Sequence, residues 1–182
     1  MEEAKKILGD DFSKNTDFIN SVVEELHLPK SAKVLDIGTG RGHMAIILGV
    51  NGYEVITGEP SEDQWADWRS LAKRVGVEDK IRFTPFKAEK LPFNDGEFDA
   101  IFLNSTLHHV KNKRKALNEC FRALKQKGIL IIFELTEEGV KSVRKRFHDH
   151  PEAIDPSDYL EKDDLSIKIT KGGELQAFII QP

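Results

Sequence analysis

Two periods alternate along this chain. Short, mainly apolar runs at 33–37, 98–103 and 129–134 predict strands buried on both faces, as in a parallel sheet. Residues 54–57 and 80–84 predict two more strands. A last pair, 165–170 and 175–180, is joined by the hairpin turn Lys171-Gly172-Gly173-Glu174. Between these runs the pattern is helical. Residues 43–50 are apolar nearly all round and predict a buried helix. Ser61-Glu62-Asp63-Gln64 forms a capping box for a helix whose Trp65, Trp68, Ala72 and Val75 share a face and which Gly76 ends. Another helix spans 111–125, with Ala116, Leu117, Cys120, Phe121 and Leu124 on one side, and a charged one spans 137–148. Ahead of them, 16–26 predicts a helix turning Phe18, Ile19, Val22, Val23 and Leu26 inward. Five strand–helix repeats closed by a hairpin give an α/β fold with a doubly wound sheet. The expected organisation is a short helical cap over 1–31 and one domain over 32–182.

The first strand ends in Val34-Leu35-Asp36-Ile37-Gly38-Thr39-Gly40-Arg41-Gly42. Glycines between a strand and a helix let the backbone turn sharply and let a ligand approach without a Cβ in the way. The helix beyond them offers unpaired N–H groups. This is a nucleotide-type cofactor loop. A P-loop would need Lys and a hydroxyl residue after its last glycine, where His43 and Met44 stand. The dinucleotide fingerprint needs a small residue where His43 lies, and it does not call for an acid at Asp36. A buried carboxylate must find donors or a cation. The amino group of a methionine moiety is such a cation, reached directly or through water.

The pattern D-x-G-x-G-x-G resembles the first motif of class I S-adenosylmethionine-dependent methyltransferases. Over about 32–134 the resemblance is closest to the ubiquinone/menaquinone-biosynthesis-like (methyltransferase type 11) group. It implies a seven-stranded, mostly parallel Rossmann-like sheet with an antiparallel last strand, and S-adenosyl-L-methionine as cofactor. Asp36, Gly38, Thr39, Gly40 and Gly42 then belong to the cofactor loop. Thr57-Gly58-Glu59-Pro60-Ser61 looks like the second motif, whose acid grips the ribose hydroxyls. Glu59 lies 19 residues past Gly40, close to the ~20 expected when adjacent parallel strands share a nucleoside.

Phe86-Lys87-Ala88-Glu89-Lys90-Leu91-Pro92-Phe93 resembles the family's D-A-x-x-L-P-F element, which reads the adenine edge. Lys87 stands in place of Asp and cannot accept from the exocyclic amine. Adenine readout then falls to the Ala88 backbone N–H, with Pro60 and Gln64 sandwiching the ring, or Lys87 points away. Asn104-Ser105-Thr106-Leu107-His108-His109-Val110 resembles the fourth motif. Asn104 would sit at the methionine end and His108 would contact substrate or accept a proton, with His109 tying loops together. The Asn-Pro-Pro-Tyr signature of amino methylation on nucleic-acid bases is absent from the sequence.

Composition narrows the picture. The 182 residues are 32% charged and 39% hydrophobic, as in an ordinary globular protein. No apolar run approaches the ~20 residues of a membrane span, and Met1-Glu2-Glu3-Ala4-Lys5-Lys6 lacks a signal-peptide core. A cytoplasmic protein is expected. The single Cys120 excludes an internal disulfide and a cysteine metal cluster, and reads as a small core residue. A net charge of −4 argues against a nucleic-acid partner. His148-Asp149-His150 has metal-like spacing without a third ligand and reads as a solvated helix end. Lys141, Arg144, Lys145 and Arg146 read as a solvated face.

The expected chemistry is in-line displacement at a sulfonium methyl. The leaving group departs neutral, so no metal is required, and the protein supplies alignment and a dry pocket. The expected acceptor is a small molecule. The short cap leaves open a protein or RNA acceptor, or closure of the pocket by a homodimer. Lys87 and the short cap also leave open a non-catalytic regulator that binds an S-adenosyl ligand.

Overall fold

The computed structural model describes residues 1–61, 66–161 and 164–182. Three helices open the chain: α1 (Glu2–Leu8), α2 (Asp10–Ser13) and α3 (Thr16–Glu25). Then follow β1 (Val34–Ile37), α4 (His43–Val50), β2 (Val55–Gly58), α5 (Trp68–Arg74), β3 (Ile81–Phe83) and β4 (Phe98–Asn104). After a 3₁₀ turn at Leu107–His109 come α6 (Lys113–Ala123), β5 (Leu124–Leu135), α7 (Glu137–Arg144), β6 (Ser166–Gly172) and β7 (Leu175–Gln181). The seven strands form one sheet in the order β3-β2-β1-β4-β5-β7-β6. The first five strands in the chain pair parallel, and β7 runs antiparallel to both β5 and β6. The fold class expected from the sequence is the one observed.

Both faces of the sheet are covered, which is why its central strands have no polar alternation. In β5, Ile131 and Phe133 join one buried cluster with α3 and α4, while Leu130 and Ile132 join the other with α6. Phe12, Ile19, Val22 and Val23 of the N-terminal helices belong to the first cluster, so the cap shares its core with the sheet. Cys120 is fully buried, and burial pushes its thiol up to about 12. Among the described residues no helix is long and apolar enough to cross a membrane.

Several boundaries differ from the sequence reading. α1 and α2 were not anticipated. The described helix after β2 starts at Trp68 rather than at Ser61, because Asp67 caps it by accepting from Ser70 N–H (3.2 Å). Glu62, Asp63, Gln64 and Trp65, with most of the expected capping box, lie outside the described residues. α6 ends at Ala123 and β5 begins at once, with Leu124 paired to Phe98, so the fifth strand is twice the expected length. α7 stops at Arg144 instead of running to 148. There the Arg144 Nε and Nη2 donate to the His150 carbonyl (2.9 and 2.7 Å) and turn the chain back.

Candidate active site

β1 has β2 on one side and β4 on the other, and its two neighbours connect in opposite directions. At such a switch point the loops leaving the carboxyl ends of the strands part and open a crevice. A cavity of about 820 Å³ lies there. Gly38, Gly40, Glu59, Pro60, Lys87, Ala88 and Asn104 all line it, drawn together from four separate segments. Asp36, Thr39 and Gly42 do not line it, and Gln64 lies outside the described residues.

The glycine loop is fixed by its neighbours. Gly38 N–H donates to the Gly58 carbonyl (2.8 Å), tying the ends of β1 and β2. Gly38 has φ +91°, and a Cβ there would run into the Thr106 side chain. A Cβ on Gly58 would strike the Thr84 carbonyl and the Phe86 ring, so no other residue fits at this strand end. Gly40 N–H donates to Glu59 Oε2 (2.8 Å), which holds this acid, 8% exposed, against the loop.

Asp36 lies below the loop with no exposure. The Thr57 hydroxyl donates to its Oδ2 (2.8 Å). Thr57 has one proton to give, so Thr39 Oγ1, 2.9 Å away, donates to Thr57. Asp36 Oδ1 has no partner among the described residues. Burial pushes this carboxyl up to about 7, with the Thr57 bond opposing and the Glu59 charge adding to the shift.

On the opposite wall, Phe86 N–H donates to the Glu59 carbonyl (3.2 Å). This places Ala88, buried, and Lys87, exposed, at the cavity edge, where Lys90 N–H donates to the Lys87 carbonyl (2.9 Å). At the end of β4 the Asn104 carbonyl accepts from Thr106 Oγ1 (3.0 Å), and Asn104 Oδ1 is buried without a partner among the described residues. Ser105 takes φ +50°, uncommon for a residue with a side chain, and its N–H donates to the Phe133 carbonyl (2.8 Å).

The two adjacent histidines face different surroundings. The His108 side chain is 2% exposed and is not in the cavity lining. Its Nδ1 donates to Glu134 Oε2 (2.5 Å), and its backbone N–H donates to Glu134 Oε1 (3.3 Å). His109 lines the cavity. Burial, followed by the neighbouring His108, His150 and Lys113, brings His109 down to about 4. His150 packs against both rings instead of ending a solvated helix. The sequence reading did not place Ser105, Thr106 or His109 in the lining. The signal for the first two was their position directly after Asn104 at a strand end.

Comparison with known proteins agrees with this geometry. The model of the family described as methyltransferase domain matches residues 35–132, more than half of the chain. A second model, ribosomal RNA adenine dimethylase, matches residues 1–55. The demethylmenaquinone methyltransferase of Clavibacter sepedonicus is 31% identical over 125 residues, covering 69% of this chain and 50% of that protein. The uncharacterized methyltransferase YcgJ of Bacillus subtilis is 37% identical over 102 residues, 56% of this chain and 40% of that protein. The YcgJ crystal structure superposes with a TM-score of 0.66 at 22% identity, covering 89% of this chain and 95% of that one. The [4+2]-cyclase SpnF gives a TM-score of 0.60 at 26% identity over 67% of this chain and 45% of that one. This chain spans about half the length of the curated relatives it matches. From the match across 35–132, which takes in the glycine loop, Glu59 and the end of β4, the chain belongs to the methyltransferase domain family.

Proposed function

We propose that this chain is an S-adenosylmethionine-dependent methyltransferase acting on a small-molecule acceptor. The observation that carries the reading is the pair of acids on adjacent strand ends. Asp36 Oδ1 is buried with no partner among the described residues, and Glu59, in the cavity wall, is held by Gly40 N–H. A ligand with a cationic amino group at one end and vicinal hydroxyls in the middle meets both needs. Gly40 lines the cavity, and a Cβ there would meet nothing closer than 4.0 Å, so the loop backbone lies open to the ligand at that point. The residues present therefore fit an S-adenosyl ligand.

Bound there, S-adenosylmethionine would supply a sulfonium-activated methyl group. This chain's own residues then do the rest. Asp36, beneath the loop and outside the cavity lining, acts on the amino end through water, Glu59 accepts from the ribose hydroxyls, and the Ala88 segment borders the base. Asn104 and Thr106 close the methionine end. Their share of catalysis is alignment and the exclusion of water. Proton removal from the acceptor is not part of this reading, since His108 lies outside the cavity lining.

A second cavity of about 300 Å³ shares Gly38, Gly40, Asn104 and Ser105 with the first, and is also lined by Phe12 and Val143. Its size supports a small acceptor, as does the likeness to a demethylmenaquinone methyltransferase. An RNA acceptor is the second reading, favoured by the match of residues 1–55 to ribosomal RNA adenine dimethylase.

Calorimetric titration with S-adenosylhomocysteine, S-adenosylmethionine and NADH tests the cofactor. Saturable binding of the two S-adenosyl ligands is expected, and NADH binding in their place overturns the proposal. Release of S-adenosylhomocysteine in the presence of quinols, phenols or RNA then separates the acceptors. The cyclase likeness makes this product assay necessary, because a shared fold does not fix the reaction.

A further inference from the structure

Three histidines meet beside the cavity from two distant parts of the chain. His108 and His109 belong to the 3₁₀ turn after β4, and His150 follows α7. Ring centroids lie 4.1 Å apart for His108 and His109, 4.8 Å for His108 and His150, and 5.6 Å for His109 and His150. One ligand nitrogen from each ring lies within 4.8 Å of the other two.

Two of the rings are already oriented by their other nitrogen. His108 Nδ1 is engaged by the Glu134 carboxylate at 2.5 Å, which leaves Nε2 as its open ligand nitrogen, buried and without a partner among the described residues. His150 Nδ1 donates to the Pro151 carbonyl (3.0 Å). Arg144 fixes the backbone of His150 through its carbonyl oxygen. Histidines that ligate metals characteristically give their second ring N–H to a carboxylate or a backbone carbonyl, which sets tautomer and ring angle. Both supports are present here.

We infer that His108, His109 and His150 form a three-histidine site for a divalent transition metal of the zinc class. Zinc takes imidazole nitrogens at about 2.0–2.1 Å, so three such nitrogens around a tetrahedral ion stand roughly 3.4 Å apart. The ligand nitrogens, within 4.8 Å of one another, must draw together by up to about 1.4 Å to reach that value. Three protein ligands leave a fourth position for water or another ligand, and His109 borders the cavity from which one would come. Ligation satisfies His108 Nε2, whose burial without a partner is otherwise costly. Glu134, 1% exposed, supplies negative charge behind the first ligand. A bound ion would also clamp the segment after α7 onto the turn after β4. The site stands on these contacts and does not depend on the methyltransferase reading.

The test uses the full chain without an affinity tag, stripped of metal and titrated with Co²⁺, followed by Zn²⁺ in competition. Equimolar Co²⁺ binding with intense visible absorption of a low-coordinate site is expected, and Zn²⁺ should displace it. His109→Ala and His150→Ala should each weaken Co²⁺ binding about tenfold or more, while near-ultraviolet circular dichroism shows both still folded. His148→Ala, at an exposed neighbour, should bind as the parent does. Absence of equimolar Co²⁺ binding overturns the inference. So does unchanged affinity in both site variants, or a loss confined to His148→Ala, which would place the ion on the exposed His148-Asp149 surface. Titration of the same proteins with S-adenosylhomocysteine is a separate readout, so the metal site and the cofactor reading fail independently.

Discussion

Asp36 carries an ionisable carboxyl into a place closed to solvent. Its folded carboxyl sits near 7 against an ordinary value of 3.8, because burial outweighs the single Thr57 hydroxyl bond. Below about pH 4 the group is protonated in both folded and unfolded chains and has no effect. From there to pH 7 the folded state holds the extra proton, so stability falls as pH rises, and above 7 the full penalty stays constant. Asp36→Asn should therefore raise the melting temperature of the ligand-free protein increasingly from pH 4 to 7, with a plateau above. Calorimetric scans running parallel for the two proteins would remove this assignment. If Asp36 has the role proposed for it, the same substitution should also weaken S-adenosylhomocysteine, because the amide gives up the charge offered to the amino end. At Lys87, a carboxylate could accept from the adenine amine where lysine cannot. Lys87→Asp should tighten S-adenosylhomocysteine about tenfold or more; a salt-independent loss in calorimetry would mean that the lysine itself contributes. The glycine loop, Glu59 and the Lys87-Ala88 pair were legible because each is a local pattern at a strand end. The histidines were not. Which side of a one-turn 3₁₀ segment faces the cleft depends on Glu134 and His150, 26 and 42 residues beyond His108.

At the scale of elements, helices and strands were read well in their interiors and poorly at their ends. Apolar periodicity marks what is buried, but capping and backbone pairing decide where an element stops. Lys125-Gln126-Lys127 is polar and looked like a helix end and a turn, yet it forms the exposed start of β5 beyond the edge of the core. Arg144 could not be foreseen as the stop of α7, because its partner is the carbonyl of His150. The start of α7 is clearer. Thr136 accepts from Gly139 N–H (3.1 Å) and its hydroxyl donates to the Gly173 carbonyl (2.8 Å), joining the helix to the β6–β7 turn. Thr136→Ala should cost about 1–2 kcal/mol in urea denaturation, with the denaturant slope unchanged, and Thr136→Ser should restore most of it. A substitution with no effect would mean that α7 is held by Val140 packing alone.

The whole sheet explains why the site is where it is. Strand order 3-2-1-4-5-7-6 brings Asp36 and Glu59, on neighbouring strands, to the same edge as Asn104, which lies 45 residues past Glu59. The antiparallel hairpin closes the far side. Its outer strand β6 leaves Ile167 and Ile169 partly exposed but sets Lys168 and Lys171 between and beside them, a charge pattern that discourages pairing with another chain. Since the cavity walls come from β1, β2, β4 and the segment after β3, no fragment of the chain can hold the ligand as the folded sheet does. Binding and folding are then linked. At a concentration one hundred times its dissociation constant, a ligand specific for the folded state adds about 2.7 kcal/mol. For a chain of this size that raises the melting temperature by roughly 5–10 °C. Glu59→Ala, which removes a charged acceptor worth about 1.5–3 kcal/mol, should bring the same concentration to about one to ten dissociation constants. The stabilisation should then fall to about 0.4–1.4 kcal/mol, half the parent's shift or less. Scanning calorimetry with S-adenosylhomocysteine on both proteins reads this directly. An equal shift in parent and variant would take Glu59 out of the site, and no shift in either would take the S-adenosyl ligand out of this sheet.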